Sequence, residues 1–127
     1  MEQGSPMTEP ERVAQGHLEA YGARDIEKVM SYFADDVLYY VFPSTLICDG
    51  AAAVRERLSN RFRDTHLSAR LLRRTVLGNL VVSHEALTLT LPEGPGTLEL
   101  IAMHEVENGK IKRAWHKLGE PVLDRAP

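Results

Sequence analysis

Thr97-Leu-Glu-Leu-Ile-Ala-Met-His-Glu-Val-Glu107-Asn108-Gly109-Lys110-Ile-Lys-Arg-Ala-Trp-His-Lys-Leu118 is the stretch on which the fold turns. Asn108-Gly109 is the strongest short hairpin signal, because both central residues of a type I′ turn need positive φ. The spacing predicts one strand over Thr97–Glu107 and its return over Lys110–Leu118. Upstream, Leu80–Leu91 reads as a long strand, Pro92–Gly96 as a loop, Gly78-Asn79 as a turn and Leu67–Leu77 as another strand. The second half is therefore an antiparallel meander.

The first half reads mainly as helix. Thr8 with Glu11 forms a capping-box pattern, and Val13, His17, Leu18 and Tyr21 fall on one helical stripe that Gly22 ends. Asp25 caps a second helix carrying Ile26, Val29, Met30 and Phe33, stopped by Asp35-Asp36. Val37–Phe42 is β-branched and aromatic, and reads as a strand that Pro43 ends. Asp49-Gly50 opens a third helix with Val54, Leu58 and Phe62 in register. Helices first and strands last make an α+β domain, with helices covering one face of a curved sheet.

The 127 residues fit a single domain. Residues 1–9 read as a disordered tail, 10–120 as the domain and 121–127 as a C-terminal tail. Fifteen Lys+Arg against eighteen Asp+Glu leave a net charge of −3, which argues against nucleic acid or an anionic membrane as partner. The longest apolar run, Val37–Phe42, is far short of the ~20 residues that span a bilayer. The first ten residues lack the apolar stretch of a secretory signal, so a cytoplasmic location is expected. The single cysteine, Cys48, excludes an internal disulfide and a cysteine-based zinc cluster. Beside Asp49 it is not favoured as a thiolate and is given no role.

Side chains alternate across a strand, so the hairpins sort residues by face. With Asn108-Gly109 as the loop, Val106 faces Ile111, His104 faces Arg113 and Ala102 faces Trp115. Closing the other loop with Leu91 opposite Leu98 sets Glu85 opposite His104. One face then carries Val81, Leu87, Leu89, Leu91, Leu98, Leu100, Ala102, Val106, Ile111 and Trp115, interrupted by Glu85, His104 and Arg113. Buried ionisable groups cost several kcal/mol unless paired, so three of them side by side suggest the polar floor of a pocket. One β-bulge would exchange the faces and substitute His84, Glu105 and His116.

Four segments carry a resemblance: Ala23-Arg24-Asp25-Ile26-Glu27, Tyr32-Phe33-Ala34-Asp35-Asp36-Val37, Asp49-Gly50-Ala51-Ala52-Ala53-Val54 and Glu107-Asn108-Gly109-Lys110-Ile111. With the element order, over roughly residues 11–120, they resemble the nuclear transport factor 2-like superfamily of SnoaL-like polyketide cyclases and steroid Δ-isomerases. The resemblance implies a cone: a curved antiparallel sheet with three N-terminal helices packed on its concave face. It also implies a homodimer joined through the outer sheet face. It does not imply the isomerase mechanism. The stretch matching the isomerase base, Tyr40-Val41-Phe42-Pro43, has no carboxylate, and the oxyanion Tyr and Asp fall near His17 and Ala102.

The expected function is general acid/base chemistry on a hydrophobic, cyclic small molecule, of isomerase, cyclase or hydrolase type, without organic cofactor. His104 would carry the proton, while Glu85 and Arg113 would orient it or hold an oxyanion. His17, Tyr21, Phe33, Tyr39, Val41, Phe62 and Trp115 would line the pocket. The alternative is a non-catalytic binder of a lipophilic ligand. No histidine pair has helical zinc spacing, so no metal is expected. Arg55, Arg57, Arg61 and Arg63 read as a solvated helix face.

Overall fold

The computed structural model describes residues 6–124. The expected N-terminal tail lies mostly outside them, as do the last three residues. The elements are α1 (Glu9–Gly22), α2 (Ile26–Met30), β1 (Phe33–Val41), β2 (Thr45–Asp49), α3 (Ala51–Arg61), β3 (Ser68–Leu77), β4 (Leu80–Leu91), β5 (Gly94–Glu107), β6 (Lys110–Leu118) and β7 (Val122–Leu123). The sheet runs β2-β1-β6-β5-β4-β3, with β7 added to β5. The architecture is the α+β cone expected, with one refinement. β1 lies parallel to β6, so the sheet is mixed rather than wholly antiparallel.

Local chemistry accounts for most boundaries. Thr8 caps α1 by accepting from the Glu11 amide, and Asp25 caps α2 by accepting from Lys28. Asn108 and Gly109 take φ of 53° and 75°, the pair of positive values a type I′ turn requires. Two expectations fail at β1. Helix α2 stops at Met30, where the Ser31 hydroxyl donates to the Lys28 carbonyl, and Phe33 begins a strand rather than closing a helical stripe. Asp35 and Asp36 lie within that strand, exposed, between buried Phe33 and Val37. Strands β2 and β7 were not expected. Val122 and Leu123, expected in the C-terminal tail, pair with Thr97 and Gly96.

The core lies between the helices and the concave face. Val29, Val37, Val54 and Ile111 are fully buried, each contributing about 1.5–3 kcal/mol by leaving water. They belong to one cluster that joins α1, α2, α3 and the β1–β6 half of the sheet. A smaller cluster of Leu67, Leu87 and Leu98 sits at the other end, under Tyr21 and Phe62.

Candidate functional site

Strand register decides which polar residues enter the cone. Strand β4 pairs with β5 so that Leu91 meets Gly94, not Leu98. The slide is four residues, an even number, so Glu85 keeps the concave face but stands opposite Leu100 instead of His104. Between β5 and β6 the register breaks: Val106 pairs with Ile111, whereas Glu105 pairs with Arg113. Lys112 is the extra residue of a β-bulge, and beyond it the faces of β6 exchange. His104 then meets Ala114, and Ala102 meets His116.

The expected trio of Glu85, His104 and Arg113 is therefore corrected. Arg113 is exposed on the outer face, donating through Nε to Glu105 Oε1 at 2.6 Å. Trp115 also leaves the concave face and stacks on Tyr40, ring centroids 5.7 Å apart. The rival trio fails too, because the bulge turns only β6. His84 stays outside and bonds Glu99 at 2.7 Å, while His116 alone turns in.

Along the concave face the cross-strand steps run from Leu87–Leu98, through Glu85–Leu100–Leu118 and Arg74–Ser83–Ala102–His116, to Val81–His104–Ala114. A cavity of about 70 Å³ sits over the first three of these steps, lined by Tyr21, Tyr39, Arg57, Leu58, Arg61, Leu87, Leu100, His116 and Leu118. That space holds about two waters. Tyr21 and Tyr39 are where the sequence expected them. Phe62 packs edge-on against Tyr21 at 5.3 Å, and Phe33 belongs to the core cluster against His17. Val41 shares the face of Tyr39, paired in register with His116, but does not line the cavity.

Electrostatics follow from burial. Desolvation raises the Glu85 carboxyl to about 7, partly offset by the Arg74 guanidinium. Desolvation lowers His17 to about 4 and holds His104 well below the usual histidine value, the latter helped by His17 and Arg74. The two imidazoles lie 4.8 Å apart between centroids, and both are neutral at pH 7. Neither His104 nor Glu85 lines the cavity, but Glu85 is paired with Leu100 of its wall, whereas His104 lies further along the face and, with its pKa held well below neutrality, is poorly suited as the proton carrier that was expected. At the cavity itself, His116 Nδ1 and Tyr39 Oη share a hydrogen bond of 3.1 Å. Burial lowers His116 to about 4 and raises Tyr39, so both are neutral hydrogen-bonding groups near pH 7.

Behind the cavity, Arg74 donates to Gln15 Oε1 at 2.9 Å and to Ser83 Oγ at 3.4 Å. Its Nη2 and the Nδ1 of His104 are buried without a hydrogen-bond partner. Sequence reasoning missed Arg57, Arg61 and Arg74 as candidate site residues and offered His116 only in the rival set that a β-bulge would bring in. Arg74 was legible only through the β3–β4 register, and His116 only through the bulge. Among the described residues no cluster of His, Cys, Asp or Glu has the arrangement of a metal centre. No helix among them is long and apolar enough to cross a membrane.

Comparison with known proteins agrees with the fold. No curated protein matches the sequence significantly. An uncharacterised cystatin-fold protein from Novosphingobium aromaticivorans superposes with a TM-score of 0.77 at 22% identity, over 87% of this chain and 98% of that one. A putative polyketide cyclase from Streptomyces antibioticus gives 0.74 at 18%, over 87% and 92%. An LEH-like epoxide hydrolase from Mycobacterium tuberculosis gives 0.73 at 18%, over 87% and 82%. At these identities the likeness is one of fold, the nuclear transport factor 2-like cone. The model of the SnoaL-like domain matches residues 14–114, and the chain belongs to that family.

Proposed function

We propose that the protein is a small-molecule enzyme that works by general acid/base chemistry, with Glu85 as the proton-transfer group. The observation that carries this reading is the Glu85 carboxyl, desolvated to a pKa of about 7 one cross-strand step from an apolar cavity. Near neutral pH such a group is divided between acid and base, so it both takes and returns a proton. In an isomerisation, Glu85 removes a proton from the carbon next to a carbonyl. The charge moves to the carbonyl oxygen, and the protonated Glu85 delivers the proton to a different carbon. Tyr39, held neutral by burial and bonded to His116, is the donor for that oxygen. Leu87, Leu100 and Leu118 give an apolar wall to the reacting end of the substrate, whose body extends beyond the 70 Å³ cavity. The same equipment serves cyclisation or hydrolysis, activities within the range of the fold.

The test is turnover on a panel of enones and lactones. The Glu85→Gln variant is expected to lose about 100-fold or more in kcat, and the wild-type rate to change near pH 7. Equal turnover by the variant overturns the assignment. A second reading, a lipophilic-ligand carrier, is favoured by the leucines of the cavity wall and by the carboxylate-free Tyr40-Val41-Phe42-Pro43. It predicts ligand retained through purification, seen by native mass spectrometry, with no product formed. The protein is further proposed to act in the cytoplasm as a homodimer. A second copy would cover the half-buried Tyr40, Ile101, Met103 and Trp115 of the outer sheet face.

A further inference from the structure

Helix α3 presents two guanidiniums where the cavity meets solvent. Arg57 and Arg61 are four residues apart, so they share one helix face, and both are half-buried while Arg55 and Arg63 on either side are exposed. The sequence expectation of a solvated basic face therefore holds for the outer pair only. Arg55 is satisfied by a bidentate bond to Glu27. Neither Arg57 nor Arg61 forms an ion pair among the described residues. Asp64 is close by but its oxygens are taken by the Thr90 amide and hydroxyl and by the His66 amide. Like charges at this spacing repel, a cost that an anion between them would remove.

A second observation points to a ligand. Arg57 and Arg61 line the 70 Å³ cavity, and they also line an open groove of about 630 Å³ beside Ile47, Cys48, Asn60 and Leu89. They are the two residues common to both spaces, so the partition between cavity and groove is built from their side chains. A molecule that occupies both spaces lies against them. Their positive field already bears on Tyr21, Tyr39 and His116.

We propose that the ligand of this site is an amphipathic organic acid, its apolar body lying across the cavity and the adjoining groove and its carboxylate held between Arg57 and Arg61. The inference rests on the cavity being the working site, and it goes further by naming the substrate class. Two guanidiniums suit a carboxylate because each offers parallel N–H donors matching its two oxygens.

The experiment is binding, measured by calorimetry at low and high salt, of 4-phenylbutanoate against 4-phenylbutanamide, which differ in charge but little in shape. The wild type is expected to favour the acid by about tenfold or more, with the preference weakened by salt. The Arg57→Gln/Arg61→Gln double variant is expected to bind the two equally. Equal binding by the wild type, no binding of the acid at millimolar concentration, or a preference that survives in the double variant overturns the inference. The comparison of acid and amide on the wild type needs no variant to fold. Turnover of neutral enones and lactones by wild type and Glu85→Gln reads the acid/base proposal separately, so either idea can fall without the other.

Discussion

The two faces of one sheet treat charge in opposite ways. On the outer face three ion pairs form, Arg113 with Glu105, His84 with Glu99, and Lys112 with Asp36 at the rim, while Arg70 and Lys117 stand exposed to water. These groups keep substantial contact with water, and such pairs add little to stability. On the inner face His17, His104, Arg74 and Glu85 are crowded together with few bonds among them, and two buried nitrogens have no partner at all. A fold selected for stability alone would replace such a cluster with hydrocarbon, since well-packed apolar residues commonly do as well or better. The inner polar groups therefore reduce stability, which is the expected mark of a working site rather than of a scaffold.

The contrast predicts how stability depends on pH. His17 is enclosed by Tyr21, Phe33 and His104, which keep it uncharged until about pH 4. Its folded pKa lies below the unfolded 6.5, so its contribution is complete above pH 6.5 and disappears as pH falls toward 4. The span of about 2.5 units corresponds to a loss on the order of 3 kcal/mol, the partial exposure of the residue placing it toward the lower side. Urea denaturation at pH 7 and pH 4.5 should show a steep acid limb in the wild type that is shallower in His17→Gln. Parallel limbs would mean that the imidazole is solvated and the inner face is not dry.

Glu85 works in the other direction and with a smaller net effect. Its folded pKa, about 7, lies above the ordinary 4.5, so the folded state holds the proton more tightly. Stability is then highest below 4.5, declines between 4.5 and 7, and stays low above. Removing the charge with Glu85→Gln should raise stability at pH 8 by about 1–3 kcal/mol, less than the full shift because the amide is also desolvated. The same substitution is the one expected to abolish turnover, a trade of stability for activity that is common at catalytic groups. A variant that is less stable at pH 8 would show that Glu85 is held by the Arg74 charge after all.

How much of this was legible depended on whether a feature was local. The Asn108-Gly109 turn, the Thr8 and Asp25 caps and the strand periodicity are set by neighbouring residues, and from them the α+β order of helices and curved sheet could be read, the cone itself coming from the family resemblance. Tyr21 and Tyr39 were legible as site residues for the same reason: each sits on an apolar stripe or alternation. Arg113 and Trp115 were misplaced because the bulge at Lys112 follows from pairing between distant strands, and an inserted residue leaves no mark in the alternation of β6 itself. The expected Pro92–Gly96 loop failed similarly, shrinking to a turn at Pro92-Glu93. Gly94, Pro95 and Gly96 look like loop residues, yet the partner β4 draws them into a strand. Arg57 and Arg61 looked like their solvated neighbours because sequence shows charge but not what the opposite wall lacks.

The register also makes its own smallest prediction, and it discriminates well because the expected effect is nil. Were the hairpin free of its bulge, Arg113 would face His104 inside the cone, and its removal would strand a buried cluster and stop turnover. With the bulge, Arg113 is a solvated cation bonded to Glu105 on the far side of the sheet. Arg113→Ala should leave the urea midpoint and the turnover number at wild-type values, and added salt should not alter that equality. Arg74→Met, on the inner face three strands away from β6, removes a charge that acts on both Glu85 and His104. It should move the activity–pH profile to higher pH, because the Glu85 carboxyl loses the cation that favours its ionised form. An Arg113 variant that shifts that profile while Arg74→Met does not would reverse the two faces, and with them the assignment of the site.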